Sequence, residues 1–229
     1  MVTRKLLPFL IALAAALLVL ASCGGDDDST DSTAATPTEN DGFASNCATP
    51  SEIVPEADVT KQYPAAPEMT IDPAKQYIAT VKTVRGDFKI GLRPDLAPQH
   101  VNSFVFLAKD GYFDGVTFHR VLPGFVAQVG DPTGSGSGGP GYTVPAEFTS
   151  AVKFERGSVG MARTNDPNSA GSQWFVNYAA TPNLDGLYTI FGQVTEGMDV
   201  VDCITPRDPN RDPGAPPGDQ IITIDIAES

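Results

Sequence analysis

Basic residues are scarce in this sequence. Lysine and arginine together number 15, against 28 aspartates and glutamates, and the formal net charge is −13. Binding to nucleic acid depends on neutralising phosphates, so this balance argues against a nucleic-acid partner. Hydrophobic residues make up 41% of the 229 positions, which is enough to fill the core of one domain.

Residue types that commonly carry covalent or metal chemistry are also few, with 2 histidines and 3 cysteines. Ser158 and Ser172 lack the histidine and carboxylate arrangement of a nucleophile motif, which argues against a hydrolase. The aspartates at 26–28 lack the spacing and bidentate glutamate of a calcium loop. The glycine-rich stretch at 134–141 lacks the Lys-Ser/Thr ending of a phosphate-binding loop and is interpreted as a flexible turn.

A long apolar run occurs at the N-terminus, where it is typical of a targeting segment. Basic residues at 4–5 precede an apolar run at 6–20, which is short for a spanning helix. The tetrapeptide Leu20-Ala21-Ser22-Cys23 follows and resembles a bacterial lipobox. We predict a lipoprotein signal peptide at 1–22 and a lipid anchor on Cys23 at the extracytoplasmic face of the bacterial cell membrane. A transmembrane anchor and a secreted protein are the alternatives.

The chain after the leader divides into a tether and a domain. Residues 23–69 are interpreted as the lipidated cysteine and a flexible, acidic and polar tether, and residues 70–229 as the folded domain. With Cys23 lipidated, Cys47 and Cys203 remain as a pair. A disulfide between them in an oxidising compartment would contribute on the order of 4 to 5 kcal/mol. The alternative is that Cys203 is a buried free thiol.

The hydrophobic pattern of the domain predicts mostly strands. Pro98, at the first helical position, and apolar residues at helical spacing predict a helix over 98–110 that ends at Gly111. A second short helix is expected near 198–204. Strands are predicted at 77–83, 88–92, 116–120, 125–129, 158–162, 174–177, 188–194 and 221–226. Many short strands favour a closed sheet, which avoids exposed edges.

Four stretches resemble cyclophilins, and they follow one another in the order expected of that family. They are Phe118-His119-Arg120-Val121-Leu122-Pro123-Gly124-Phe125-Val126-Ala127-Gln128-Val129-Gly130-Asp131, Gly157-Ser158-Val159-Gly160-Met161-Ala162-Arg163, Ala170-Gly171-Ser172-Gln173-Trp174-Phe175-Val176, and Asn183-Leu184-Asp185-Gly186 with Phe191-Gly192. The resemblance covers about residues 75 to 226, and the segments at 130–142 and 163–169 look more like the bacterial branch.

This resemblance implies a closed eight-stranded antiparallel barrel capped by two α-helices. It also implies peptidyl-prolyl cis/trans isomerase activity, which is rotation about the peptide bond before proline. No bond is broken, so no nucleophile, metal or cofactor is needed. We expect a monomer that binds proline-containing polypeptides, assists the folding of exported proteins, and touches the membrane through its lipid anchor.

The matching motifs also imply site residues. Arg120 would be the catalytic donor, because its guanidinium stays charged and offers rigid N–H groups, and Gln128 would orient it. The remaining substrate-binding residues are those of the proline pocket and its surroundings: Phe125, Val126, Phe175, Leu184 and Tyr188 around the proline, and Ala162, Arg163 and Gln173 beside the preceding substrate backbone.

Two positions depart from the best-known eukaryotic pattern. Asn183 stands where those cyclophilins have tryptophan, and Tyr188 where they have histidine. Losing the indole puts tight cyclosporin binding in doubt and leaves Arg120 and the pocket in place. The runner-up interpretation is a non-catalytic proline-peptide binding or holdase module, and the retained Arg120 favours the enzyme. His119 is interpreted as structural, since isomerisation requires no proton transfer.

Overall fold

The computed structural model describes residues 47, 49–51 and 54–229. The predicted signal peptide at 1–22, the predicted lipidation site Cys23 and the larger part of the predicted tether lie outside the described residues. In the portion that is described, no helix has both the length and the apolar character needed to cross a membrane.

Eight strands, two α-helices and one 3-10 helix make up the described fold. In chain order they are β1 (Tyr77–Thr83), β2 (Gly86–Leu92), α1 (Pro98–Lys109), β3 (Arg120–Leu122), β4 (Val126–Val129), β5 (Ser158–Met161), β6 (Trp174–Asn177), the 3-10 helix (Pro182–Leu184), β7 (Ile190–Glu196), α2 (Met198–Asp202) and β8 (Ile221–Glu228). Both predicted helices and seven of the eight predicted strands are present, although some bounds differ; the strand predicted at 116–120 overlaps β3 at Arg120 alone.

The strands form one antiparallel sheet in the order β3-β4-β6-β5-β7-β2-β1-β8. This sheet is a strongly curled half-barrel that stays open between β3 and β8, so the predicted closed barrel is wrong. The reason lies at the edge of β3. Val121 and Arg207 exchange two backbone hydrogen bonds of 2.7 and 2.9 Å. A loop residue therefore occupies the edge that a closed barrel would pair with β8.

The third strand also differs from its predicted position at 116–120. The Phe118 N–H donates to the Asp219 carbonyl at 2.9 Å, and the Ile221 N–H donates to the Val116 carbonyl at 2.9 Å. Because these backbone groups are satisfied by Asp219 and by Ile221, the first residue of β8, the third strand begins only at Arg120, where pairing with β4 starts.

The main core lies between the concave face of the sheet and α1. Alternate residues of β1 point inward, so Tyr77, Ala79 and Val81 are buried. Trp174 is fully buried, and its ring packs edge-on against Phe104 of α1 at 5.8 Å between centroids. The inward-facing residues of the strands, which alternate, and those of α1, which follow the helical period, therefore pack in one cluster.

The start of α1 is capped by a residue distant in sequence. The Glu147 carboxylate accepts hydrogen bonds from the backbone N–H groups of Gln99 and His100 at 3.1 and 3.0 Å, and it lies 2.6 Å from Nδ1 of the buried His100 ring. Burial opposes ionisation of this carboxyl, but these hydrogen bonds outweigh it and lower the pKa of Glu147. Glu147 thus satisfies orphan donors that no local side chain caps.

The described residues before 70 lie against the domain. Cys47 is joined to Cys203 by a disulfide. The Asn102 amide of α1 donates to the Glu68 carbonyl at 2.9 Å and accepts from the Thr70 N–H at 2.9 Å. The Tyr63 ring packs against helix α1 through edge contact with the Phe106 ring.

Candidate active site

Strand register aligns three residues on the outer face of the sheet. Arg120 of β3 pairs with Gln128 of β4, and Gln128 pairs with Phe175 of β6. Directly opposed residues of antiparallel strands point to the same side of a sheet. Arg120, Gln128 and Phe175 therefore form a row across three strands, with Gly160 of β5 next to Phe175.

A cluster of apolar side chains, separate from the main core, flanks this row and forms the candidate proline pocket. Its buried members are Val126, Phe154, Phe175, Leu184 and Ile190, and its partly buried members are Phe125, Val152, Ala162 and Tyr188. Phe175 is central to it, because its ring stacks on Phe154 at 5.7 Å and meets Tyr188 edge-on at 5.9 Å. All five residues predicted around the proline come together here, and Asn183 lies exposed beside Leu184.

Sequence reasoning missed the floor of this pocket. Val152 and Phe154 lie in an irregular segment, and no motif indicates that this segment folds under Phe175. Gly160 was not assigned a role either. A Cβ at Gly160 would lie 2.6 Å from Phe175 and 2.7 Å from Phe154, so only glycine leaves room for these two rings in their present positions.

Arg120 lies half-buried at the edge of the pocket. Its guanidinium carbon is 5.6 Å from the centroid of the Phe125 ring, within cation–π range. Its Nη1 donates to Oε1 of Gln128 at 3.3 Å, which engages one of the five N–H donors of the group. The arrangement places a permanent cation with rigid donors beside an apolar pocket.

A polar chain continues from Gln128. Its Nε2 donates to Oε1 of Gln173 at 3.0 Å, and Nε2 of Gln173 donates to the carbonyls of Gly136 and Gly138 at 3.0 and 2.9 Å. The backbone carbonyl of Gln173 accepts from the Ala162 N–H at 2.9 Å. A cavity of about 570 Å³ opens beside these groups; its lining includes Gln128, Ala162, Arg163 and Gln173.

The glycine-rich loop also lines this cavity, and hydrogen bonds to one buried carboxylate hold it in place. Asp131 accepts hydrogen bonds from the N–H and hydroxyl of Thr133 at 2.8 and 2.7 Å, and from the Gly138 N–H at 3.0 Å. Burial opposes ionisation, but these bonds prevail and lower the pKa of Asp131. The loop is more heavily hydrogen-bonded than a flexible turn.

The side chain of Arg163 makes its contacts at the rim of the site. Its Nε donates to the Leu187 carbonyl at 2.8 Å, and its Nη1 donates to the Thr164 carbonyl at 2.8 Å. The guanidinium also lies 4.5 Å from the Tyr188 ring centroid. The structure thus makes Arg163 a brace for Tyr188, a function that its position in the motif does not indicate.

His119 precedes Arg120 in sequence but lies in the interior, 2% exposed. Burial lowers the pKa of His119, with the neighbouring Arg120 and Arg207 charges adding to the effect and Asp131 opposing it. The ring is therefore neutral at pH 7 and is not positioned to exchange protons with the outer face. Among the residues that the structure describes, no three or more His, Cys, Asp or Glu side chains cluster as metal ligands.

Comparison with known proteins agrees with this geometry. The family model for the cyclophilin type peptidyl-prolyl cis-trans isomerases matches residues 78–225. A probable peptidyl-prolyl cis-trans isomerase of Brucella suis is 46% identical over 145 residues, spanning 58% of this chain and 72% of that protein. Peptidyl-prolyl cis-trans isomerase B of Streptomyces anulatus is 39% identical over 175 residues, spanning 68% of this chain and 99% of the relative.

A solved structure shows the same fold. The crystal structure of a cyclophilin type peptidyl-prolyl cis-trans isomerase from Cryptosporidium parvum has a TM-score of 0.61 and 31% identity, with 68% of this chain and 99% of that chain covered. The same parasite cyclophilin was also crystallised in the presence of the dipeptide Ala-Pro, with a TM-score of 0.57, 31% identity and coverage of 66% and 99%.

The curled antiparallel sheet, with an arginine beside an apolar cluster on its outer face, agrees with the match to the cyclophilin-type family. This chain belongs to the cyclophilin-type peptidyl-prolyl cis/trans isomerases and is an isomerase. Cyclophilins bind proline-containing peptides, and the apolar pocket has the chemistry for a proline ring.

Proposed function

We propose that Arg120 carries the isomerisation and that the apolar pocket around Phe175 holds the proline ring. The observation that supports this most is the position of the Arg120 guanidinium, hydrogen-bonded to Gln128 and 5.6 Å from the Phe125 ring centroid at the pocket edge. Buried Val126 and Leu184 add apolar surface that removes the proline ring from water.

The chemistry required is modest. Rotation about an X-Pro bond has a barrier of roughly 18 to 20 kcal/mol because twisting the amide removes its resonance. In the twisted amide the nitrogen becomes pyramidal and its lone pair can accept a hydrogen bond. A donor fixed beside the proline would stabilise that state and not the planar ones, which lowers the barrier. Gln128 would limit the motion of the guanidinium, so that little reorganisation is needed during rotation.

We further propose that the substrates are exported proteins and that the enzyme is held at the outer face of the cell membrane by a lipid on Cys23. The lipobox-like tetrapeptide at 20–23 supports this placement. The Cys47–Cys203 disulfide supports it as well, because such bonds persist in oxidising compartments. Newly translocated chains contain X-Pro bonds whose isomerisation takes tens of seconds and can limit folding.

Fatty-acid labelling of the full chain in a bacterial host tests the anchor. The parent should incorporate a labelled fatty acid and sediment with membranes, whereas Cys23→Ala should lose the label. The double variant Cys47→Ser/Cys203→Ser is the matched control and should keep it, because those cysteines form the disulfide. An unlabelled parent, or label retained by Cys23→Ala, would contradict the anchor without affecting the isomerase.

A further inference from the structure

Residues outside the family match lie against the active-site loop. We call residues 61–63 the strap; they precede the matched region, which begins at residue 78. The Gln62 side-chain amide donates to the Gly139 carbonyl at 2.8 Å, and the Tyr63 N–H donates to the Pro140 carbonyl at 2.8 Å. The strap therefore bonds two consecutive carbonyls of the glycine-rich loop.

The strap is held independently of that loop. The Tyr63 ring packs edge-on against Phe106 of α1, with 5.1 Å between centroids, and its hydroxyl donates to the Asp110 carboxylate at 2.7 Å. Lys61 also reaches the end of α1, where Nζ lies 3.5 Å from Asp110 Oδ2. The helix thus provides a fixed support from which the strap contacts the loop.

The loop connects the strap to the candidate catalytic arginine. The carbonyls of Gly136 and Gly138 accept from Gln173, which accepts from Gln128, which in turn accepts from Arg120. The hydrogen bonds of this chain all run in one direction, because each glutamine accepts through Oε1 and donates through Nε2. The glycines have no side chains to hold the loop, so these bonds and those of Asp131 fix its position.

Gln62 also lines the cavity of about 570 Å³ whose lining includes Gln128, Arg163 and Gln173. Its side chain is exposed. Loss of the Gln62 side chain would therefore free the Gly139 carbonyl and remove one of the groups that line the cavity.

We propose that the strap is a positioning element of the active site: Gln62 and Tyr63 fix the loop at 136–141, and through Gln173 and Gln128 they set the position of Arg120. The proposal rests on the proposed role of Arg120. It makes the N-terminal segment part of the catalytic unit, so that an isomerase domain cut at the start of the family match would be incomplete.

The test compares Gln62→Ala with the parent, using the full chain in detergent micelles and exchange NMR on a short X-Pro peptide. We expect kcat/KM to fall by about three- to tenfold, the effect of losing one neutral hydrogen bond. The side-chain amide signals of Gln173 should shift, which a strap that only stabilised the fold would not cause. Gln62→Lys supplies a new donor for the Gly139 carbonyl and should restore most of the rate.

Thr60→Ala is the matched control, because Thr60 is exposed and its hydrogen bonds go to Asp58 alone among the described residues. It should leave both the rate and the Gln173 signals unchanged. An active parent with unchanged rate and unchanged Gln173 signals in Gln62→Ala would overturn the proposal. A parent that does not accelerate exchange would instead overturn the proposed role of Arg120 on which it rests.

Discussion

Replacing Gly160 by alanine should disturb the pocket floor by an amount that can be worked from the structure. The added Cβ would lie 2.6 Å from Cζ of Phe175 and 2.7 Å from Cε1 of Phe154, whereas ordinary contact begins at 3.4 Å. The rings must therefore retreat by about 0.7 to 0.8 Å. Overpacking of this kind costs about 1 to 3 kcal/mol, which corresponds to a fall in Tm of roughly 2 to 12 °C.

The displaced Phe175 ring should also reduce activity. Phe175 lies in the row with Gln128 and Arg120, so movement of its ring changes the surface on which the proline would rest. A misplacement of about 1 Å can cost on the order of 100-fold in rate, and we expect a loss of about 10- to 100-fold in kcat/KM. Urea unfolding and exchange NMR on one X-Pro peptide measure the two effects on the same sample.

Two further variants make the test specific. Gly214→Ala adds the same methyl group where its nearest contact, to Asp212, is an ordinary 3.7 Å, and it should match the parent. Adding Phe154→Leu to Gly160→Ala creates space and should recover part of both losses. Full stability and full activity in Gly160→Ala would refute the proposed packing of the pocket floor.

Three other predictions concern the scaffold. Glu147→Ala should destabilise the protein by about 1 to 3 kcal/mol, since two N–H groups and an imidazole at the start of α1 lose their acceptor. Because the pKa of Glu147 is lowered in the folded protein, this carboxylate stabilises the protein above its unfolded pKa of about 4.3, and the stabilisation is lost as pH falls through the folded pKa. The stabilities of parent and variant, measured by urea titration, should therefore converge at low pH. The pKa of His119 is also lowered in the folded protein, so the unfolded chain binds this proton at a higher pH, and the free energy of unfolding should fall as pH decreases below about 6.5. His119→Phe should remove this contribution to the pH dependence. An unchanged dependence of stability on pH in His119→Phe would contradict the prediction. Replacing Cys47 and Cys203 by serine should lower stability by about 2 to 5 kcal/mol, because the bond spans 156 residues; equal urea midpoints would argue against the disulfide.

Local sequence patterns predicted much of the fold. The alternation of apolar residues in β1 and their helical spacing in α1 predict these two elements, and the structure buries the predicted apolar face of each. Closure of the sheet could not be predicted, because it depends on the edge of β3, where Val121 pairs with Arg207. That pairing joins residues with no shared periodicity. Other long-range bonds, from Phe118 to Asp219 and from Ile221 to Val116, explain why β3 begins only at Arg120.

The site shows a similar division. The motifs named Arg120, Gln128 and Phe175, and strand register brings these three together. Phe154 and Gln62 belong to irregular segments whose position depends on tertiary contacts, so no local pattern indicates them. The place of such residues in the site can be assigned only from the folded structure.

The most direct test of the account is exchange NMR on a short X-Pro peptide with the parent, Arg120→Ala and Arg211→Ala. Arg211 is the matched control, because its side chain is 89% exposed and pairs with Asp208 three residues earlier. The parent and Arg211→Ala should accelerate exchange equally, and folded Arg120→Ala should lose about 100-fold or more of that rate. A folded Arg120→Ala that keeps the parental rate would contradict the role of Arg120, and a parent that binds the peptide without accelerating its exchange would favour the non-catalytic binding module.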